Sequence, residues 1–144
     1  MVDSLNVVCP HCDTLNRVHA ERIQAHPTCG RCKQALFTGA PIALDAANFE
    51  RYVERGDLPV VVDFWAPWCQ PCQMMAPAFE RAAADLEPRV RFARVNTDQA
   101  PELASRFRIR GIPTLVIYKR GSEITRQSGM MDFTTLARWI RAHT

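Results

Sequence analysis

All six cysteines of this chain fall in three C-x-x-C pairs: Cys9/Cys12, Cys29/Cys32 and Cys69/Cys72. Two thiols at that spacing can share a metal ion or close a disulfide, so each pair restricts the local fold. The first two pairs are 16 residues apart, positions 13 to 28, an interval that fits a four-cysteine zinc site. Each pair forms a tight knuckle, and two knuckles set four thiolates around Zn2+ as a tetrahedron. Roughly 40 residues bury little apolar surface, so bound metal supplies the stability of such a unit. The alternative is two unmetallated pairs in a loose arm. A catalytic zinc is not expected, because four thiolates leave no open coordination position. His11, His19 and His26 lie within or between these pairs and read as surface histidines.

The third pair has a different setting. Val60-Val61-Val62-Asp63-Phe64-Trp65 reads as a covered strand, because β-branched and aromatic side chains pack well on a pleated, buried surface. Ala66-Pro67 ends it, and Gln73-Met74-Met75-Ala76 reads as helix. Cys69 and Cys72 thus sit where a strand hands over to a helix, the setting of a redox dithiol. Free N–H groups and the dipole at a helix start favour the thiolate, which is the reactive form. Pro71 opens the helix without wasting a hydrogen bond. Asp63 is expensive inside an apolar run, so it is expected to be paired or to have a raised pKa. A structural Asp that caps a backbone group is the competing reading.

Composition narrows the function classes. The chain has 144 residues, 47% hydrophobic and 23% charged, with net charge +3. Cut after Ala40, it carries 4 basic and 3 acidic residues before the cut and 14 and 12 after, so +1 and +2. Neither part has the basic excess of a nucleic-acid binder, and residues 1 to 32 hold no aromatic platform for base stacking. No apolar run is long enough to span a membrane. Met1 to Asn6 lacks the basic and apolar regions of a signal peptide, so a cytoplasmic location is expected. There, cysteines serve as metal ligands or redox groups more than as structural disulfides.

Thr38-Gly39-Ala40-Pro41 marks a boundary, giving residues 1–40 as a zinc-ribbon-like module and 41–144 as a second domain. Ile42 to Leu44 is a short strand, and Asp45 caps a helix carrying Phe49, Tyr52 and Val53. After the central strand, the redox helix runs through Leu86 to Glu87-Pro88, with a kink expected at Pro77. Val90 to Val95 is a strand of apolar residues with arginines interleaved, and Pro101 opens a short helix. Leu115 to Tyr118 and Glu123 to Ser128 form a hairpin across Lys119 to Ser122. Asp132 or Thr134 then caps a last helix with Leu136, Trp139 and Ile140 on one face. The order βαβαβαββα implies an α/β fold with a mixed sheet and helices on both faces.

This order, with Trp68-Cys69-Gln70-Pro71-Cys72 after the valine strand and Gly111-Ile112-Pro113-Thr114 downstream, resembles the thioredoxin family. The added four-cysteine module resembles its bacterial thioredoxin 2 type. The resemblance implies the thioredoxin fold and a protein-disulfide reductase recharged by an NADPH-dependent thioredoxin reductase, with one structural Zn2+ and no organic cofactor. It implies that Cys69 attacks a substrate disulfide and that Cys72 resolves the mixed disulfide. It makes Asp63 the proton acceptor for Cys72, and Pro113 a cis-proline facing the dithiol. Trp68, Gln70, Pro71, Gly111, Ile112 and Gly129 then line the substrate surface, and Trp65 belongs either there or to the core. Gln70 departs from the glycine usual at its position, which bears on reduction potential. Arg94 replaces a lysine and is expected to favour ionised Asp63 more persistently.

Two other readings stay open: a thiol oxidase or isomerase on the same dithiol, and a zinc-ribbon protein-binding module on a thioredoxin-like scaffold. Zinc thiolates can also oxidise with release of metal, which makes the N-terminal module a candidate oxidant sensor.

Overall fold

The computed structural model describes residues 3–144. Met1 and Val2, the start of the segment read as lacking a signal peptide, lie outside the described residues. The N-terminal part is built on a hairpin of β1 (Ser4–Val8) and β2 (Leu15–His19), in register from Ser4 opposite His19 to Val8 opposite Leu15. Neither strand is visible in the sequence pattern. Cys9 and Cys12 occupy the hairpin's turn, and Thr28 bridges Ala35 around the second pair. Both turns repeat one geometry. Asp13 and Lys33, each just after the second cysteine of its pair, have φ of 63° and 68°. Their N–H groups donate to the carbonyls of Cys9 and Cys29 at 3.0 and 2.9 Å.

The rest of the chain forms a five-stranded sheet. Its strands are β3 (Ile42–Leu44), β4 (Val60–Trp65), β5 (Arg91–Asn96), β6 (Thr114–Lys119) and β7 (Ser122–Ser128), in the order β3-β5-β4-β6-β7. The β3–β5 and β5–β4 pairs are parallel, and β4–β6 and β6–β7 are antiparallel, which is the mixed sheet expected. The hairpin turn places Arg120 and Gly121 at φ of 51° and 84°, the paired left-handed geometry that suits the twist of two adjoining strands.

Helices cover both faces. Alternation along β4 sends Val60, Val62 and Phe64 to one side, against α1 (Phe49–Glu54) and α3 (Pro101–Arg106) through Phe49, Tyr52, Val53 and Leu103. It sends Val61 to the other side, against α2 (Gln70–Leu86) and α4 (Phe133–His143) through Met75, Phe79, Leu86, Leu136 and Ile140. Asp63 shares the Val61 side, facing the helix that carries Cys72.

The structure refines two sequence expectations, at the starts of α1 and α4. Asp45 does not cap α1: its Oδ1 accepts from Ala47 N–H at 2.9 Å, shaping a turn, and the helix begins only at Phe49. Asp132, and not Thr134, caps α4 by accepting from Thr135 N–H at 2.8 Å. Helix α2 runs unbroken through Pro77. Arg91 departs furthest from the pattern. It is interleaved with apolar residues along the strand, yet it is 3% exposed, because its guanidinium is enclosed against the Val8 and Leu36 carbonyls of the N-terminal part.

Candidate active site and candidate metal centre

Cys69 is the N-cap of α2, and its Sγ accepts from the Cys72 N–H at 3.2 Å. The strand end brings the chain to this point and Pro71 starts the helix. The sulfur therefore meets the positive end of a 17-residue helix. Cys69 and Cys72 are joined as a disulfide with a Cα–Cα distance of 5.3 Å. Cys69 is 5% exposed and Cys72 0%, so of the two sulfurs the one nearer the helix start is the more accessible. The Cys69 Sγ lies 3.7 Å from the Ile112 carbonyl oxygen, and the Ile112–Pro113 peptide is cis. Ile112 packs with Trp65 against Ala66, Cys69 and Cys72.

Asp63 is completely buried. Burial pushes its pKa up to about 6, and the nearby Arg94 guanidinium opposes that rise. Arg94 Nε donates to Asp63 Oδ2 at 3.3 Å, while Oδ1 has no protein partner. The Arg94 guanidinium also lies over the Trp65 ring, 4.1 Å from its centroid. Trp65 is half-buried, so it belongs partly to the core and partly to this cation's support.

The residues read as a substrate surface gather around the dithiol. Trp68 is 71% exposed and donates its indole N–H to Asp98 Oδ1 at 3.2 Å. Gln70, Pro71 and Gly111 are exposed and Ile112 is half-buried. Gly129, at φ 96°, donates its N–H to the Pro113 carbonyl at 2.9 Å, which ties the Gly111–Pro113 loop to the end of β7. Three residues next to these positions were not singled out in the sequence: Asp98, Met74 and Met130. Both methionines are exposed, Met74 two positions after Cys72 and Met130 next to Gly129. An unpaired apolar residue beside a site residue was their signal; nothing in the sequence marked Asp98 as the indole's partner.

The four remaining cysteines converge. The Sγ atoms of Cys9, Cys12, Cys29 and Cys32 all lie within 4.8 Å of one another. Across the knuckles, Cys9–Cys32 and Cys12–Cys29 are 3.6 and 3.7 Å apart, close to the roughly 3.8 Å edge of a tetrahedron with Zn–S bonds of about 2.3 Å. His11 N–H and Arg31 N–H each point at the first sulfur of their own pair, at 3.4 Å. Asn16, unremarked in the sequence, spans both knuckles: it donates to Cys29 Sγ at 3.5 Å and to the Thr14 carbonyl at 3.1 Å, and accepts from Gly30 N–H at 2.9 Å. The Cys32 N–H, with Asn16 beside it, draws the Cys29 thiol down to about 6, whereas burial pushes Cys9 up to about 12. A divalent cation at the centre holds all four as thiolates, so the donor set fits zinc. His11 is exposed but not idle, since its Nε2 is 3.1 Å from the Ala35 carbonyl oxygen and latches one knuckle to the other. His19 and His26 are exposed.

Comparison with known proteins matches the two parts separately. The family model described as Thioredoxin matches residues 40–142, and the one described as Thioredoxin 2, N-terminal, matches residues 8–34. Thioredoxin C-3 of Corynebacterium nephridii is 42% identical over 134 residues, covering 93% of this chain and 92% of that protein. Thioredoxin 1 of Nostoc sp. is 42% identical over 97 residues, 67% of this chain and 91% of that protein. The thioredoxin of Haemophilus influenzae is 37% identical over 100 residues, 69% of this chain and 94% of that protein.

Proposed function

Because the chain belongs to the thioredoxin family, and is therefore a thiol–disulfide oxidoreductase, we propose that it reduces protein disulfides through Cys69 and Cys72. Cys69 thiolate attacks one sulfur of a substrate disulfide. That S–S bond breaks, the other substrate sulfur leaves as a thiolate, and a mixed disulfide forms. Cys72 gives its proton to Asp63 and attacks Cys69 Sγ. The mixed disulfide breaks, the second substrate thiol departs, and the Cys69–Cys72 disulfide remains. Two electrons pass from the dithiol to the substrate. A thioredoxin reductase drawing on NADPH restores the dithiol. The observation that carries this reading is Cys69 at the helix N-cap, 5% exposed, with fully buried Cys72 behind it.

Other roles follow from position. Asp63 is suited to accept a proton near neutrality because its pKa sits near 6. Pro113 and the Ile112 carbonyl face the sulfurs and hold an incoming chain alongside them. Trp68, Gln70, Pro71, Gly111, Ile112 and Gly129 form the contact surface, which Met74 and Met130 extend. The boundary near Ala40 separates the four-cysteine module from the catalytic domain, and one zinc in the module serves structure. Its loss on thiolate oxidation reports oxidants. No helix among the described residues is long and apolar enough to cross a membrane; a reducing cytoplasm suits a site that needs four free thiols.

Trapping tests the mechanism. With Cys72→Ser the second attack is blocked, so incubation with a disulfide substrate accumulates a mixed disulfide at Cys69, seen by mass spectrometry. No adduct at Cys69, or one at a zinc cysteine instead, contradicts the assignment.

A further inference from the structure

Arg91 opens β5 and is 3% exposed. Its backbone is fixed by a bond from its N–H to the Pro59 carbonyl at 2.8 Å, one residue before β4 begins. Its side chain leaves the sheet and enters the seam against the N-terminal module. There Nη1 donates to the Val8 carbonyl at 2.8 Å and Nη2 to the Leu36 carbonyl at 2.9 Å. The guanidinium lies between two rings, 4.8 Å from the Phe37 centroid and 4.6 Å from that of Tyr52. No carboxylate forms an ion pair with it among the described residues.

A buried cation is thus held by two carbonyl dipoles and two ring faces, while its Nε has no partner among the described residues. Val8 directly precedes Cys9, and Leu36 follows Cys32 by four positions. Both carbonyls, one from each side of the module, stand where they do only while the two knuckles are closed against each other. Other contacts cross the seam, such as Asn6 N–H to Asp57 Oδ2 at 2.7 Å and Gly39 N–H to Glu87 Oε1 at 2.7 Å. Asp57 is half-buried and can turn to water, whereas Glu87 accepts through Oε1 and keeps Oε2 buried without a partner among the described residues. Arg91 has no such exit. If the knuckles part, a buried guanidinium loses both acceptors, and leaving a buried charged donor unpaired is strongly destabilising.

We propose that Arg91 couples the metal site to the catalytic domain, so that zinc in the four-cysteine module stabilises the sheet carrying Asp63 and leading to the dithiol. The element it anchors also holds Arg94, three residues further along β5 and paired with Asp63. Coupling of this kind is reciprocal: whatever zinc gives to the sheet, an intact Arg91 seat gives to zinc affinity.

All three tryptophans, Trp65, Trp68 and Trp139, lie outside the module, so their fluorescence reports melting of the catalytic domain alone. The test melts the full chain with and without zinc, unaltered and as Arg91→Met. Zinc removal is expected to lower the tryptophan midpoint of the unaltered chain by about 5 °C or more, and that of Arg91→Met by less than half as much. Arg91→Met is also expected to release zinc to a competing chelator more readily than the unaltered chain. An unmoved midpoint in the unaltered chain, or equal shifts in both, overturns the proposal. Should Arg91→Met not fold, amide exchange in the unaltered chain decides. Zinc removal must then speed exchange over residues 90–93 by roughly tenfold relative to residues 115–118, and equal change in the two segments overturns the proposal.

Discussion

Arg94 reaches the buried Asp63 with a single Nε–Oδ2 contact of 3.3 Å while its guanidinium lies on Trp65. One carboxylate oxygen is thus served and the other is not, which is why burial outweighs the cation and the pKa rises to about 6. The ordinary carboxyl value is 3.8, so the folded chain holds this proton more tightly than the unfolded chain does. Stability contributed by Asp63 is therefore greatest at low pH and falls as pH rises from about 4 through about 6, by about 3 kcal/mol in all. Asp63→Asn removes that fall. In guanidinium titrations at pH 7.5 it is expected to be more stable than the unaltered oxidised chain by about 2–3 kcal/mol, while its turnover drops. Equal stability at pH 7.5 contradicts the raised pKa.

Removing the cation shifts the same group further. Arg94 lowers the Asp63 pKa, so Arg94→Gln moves it above its present value. The acid limb of the pH–rate profile for disulfide reduction is expected to move upward with it, and Arg94→Lys to fall between the two. A profile unchanged in Arg94→Gln separates Asp63 from the rate.

How much of this was legible follows from which forces are local. The third cysteine pair was readable because its strand, turn and helix are adjacent in sequence and each has its own signal. The zinc cysteines were readable because the second pair repeats the first. Asp63 stood out as a charge inside a valine run. The hairpin of Ser4–Val8 and Leu15–His19 was not readable, since knuckle and seam contacts hold it more than strand propensity does. The burial of Arg91 was not readable, since the carbonyls that hold it, those of Val8 and Leu36, lie 83 and 55 positions away. The partnership of Trp68 with Asp98 spans 30 positions, beyond any local pattern.

The exposed Trp68 is held by that one indole bond. Asp98→Ala frees the ring, and the KM for a protein disulfide is expected to rise about threefold with kcat little changed, a loss of about 0.7 kcal/mol of uniform binding. A fall in kcat at constant KM places Asp98 in the chemistry instead.

Gln70 is exposed and its side chain makes no hydrogen bond among the described residues. Gln70→Gly is therefore expected to leave turnover within about twofold and to lower stability by about 0.5–1 kcal/mol through the helix start. A larger change in rate shows that its bulk governs approach to Cys69.

Metal removal has a chemical readout. Zinc-loaded oxidised chain is expected to show almost no thiols to a disulfide reagent, and metal withdrawal to expose four, from Cys9, Cys12, Cys29 and Cys32. Metal analysis is expected to give one zinc per chain, lost in Cys9→Ser/Cys12→Ser.

The most direct measurement is insulin-disulfide reduction with NADPH and a thioredoxin reductase. It compares the unaltered zinc-loaded chain, Cys69→Ser and Cys9→Ser/Cys12→Ser. Steady NADPH consumption is expected from the unaltered chain, none from Cys69→Ser, and continued turnover from the zinc-site variant wherever it remains folded. No turnover by the folded, zinc-loaded unaltered chain, or full turnover by Cys69→Ser, contradicts the proposed mechanism.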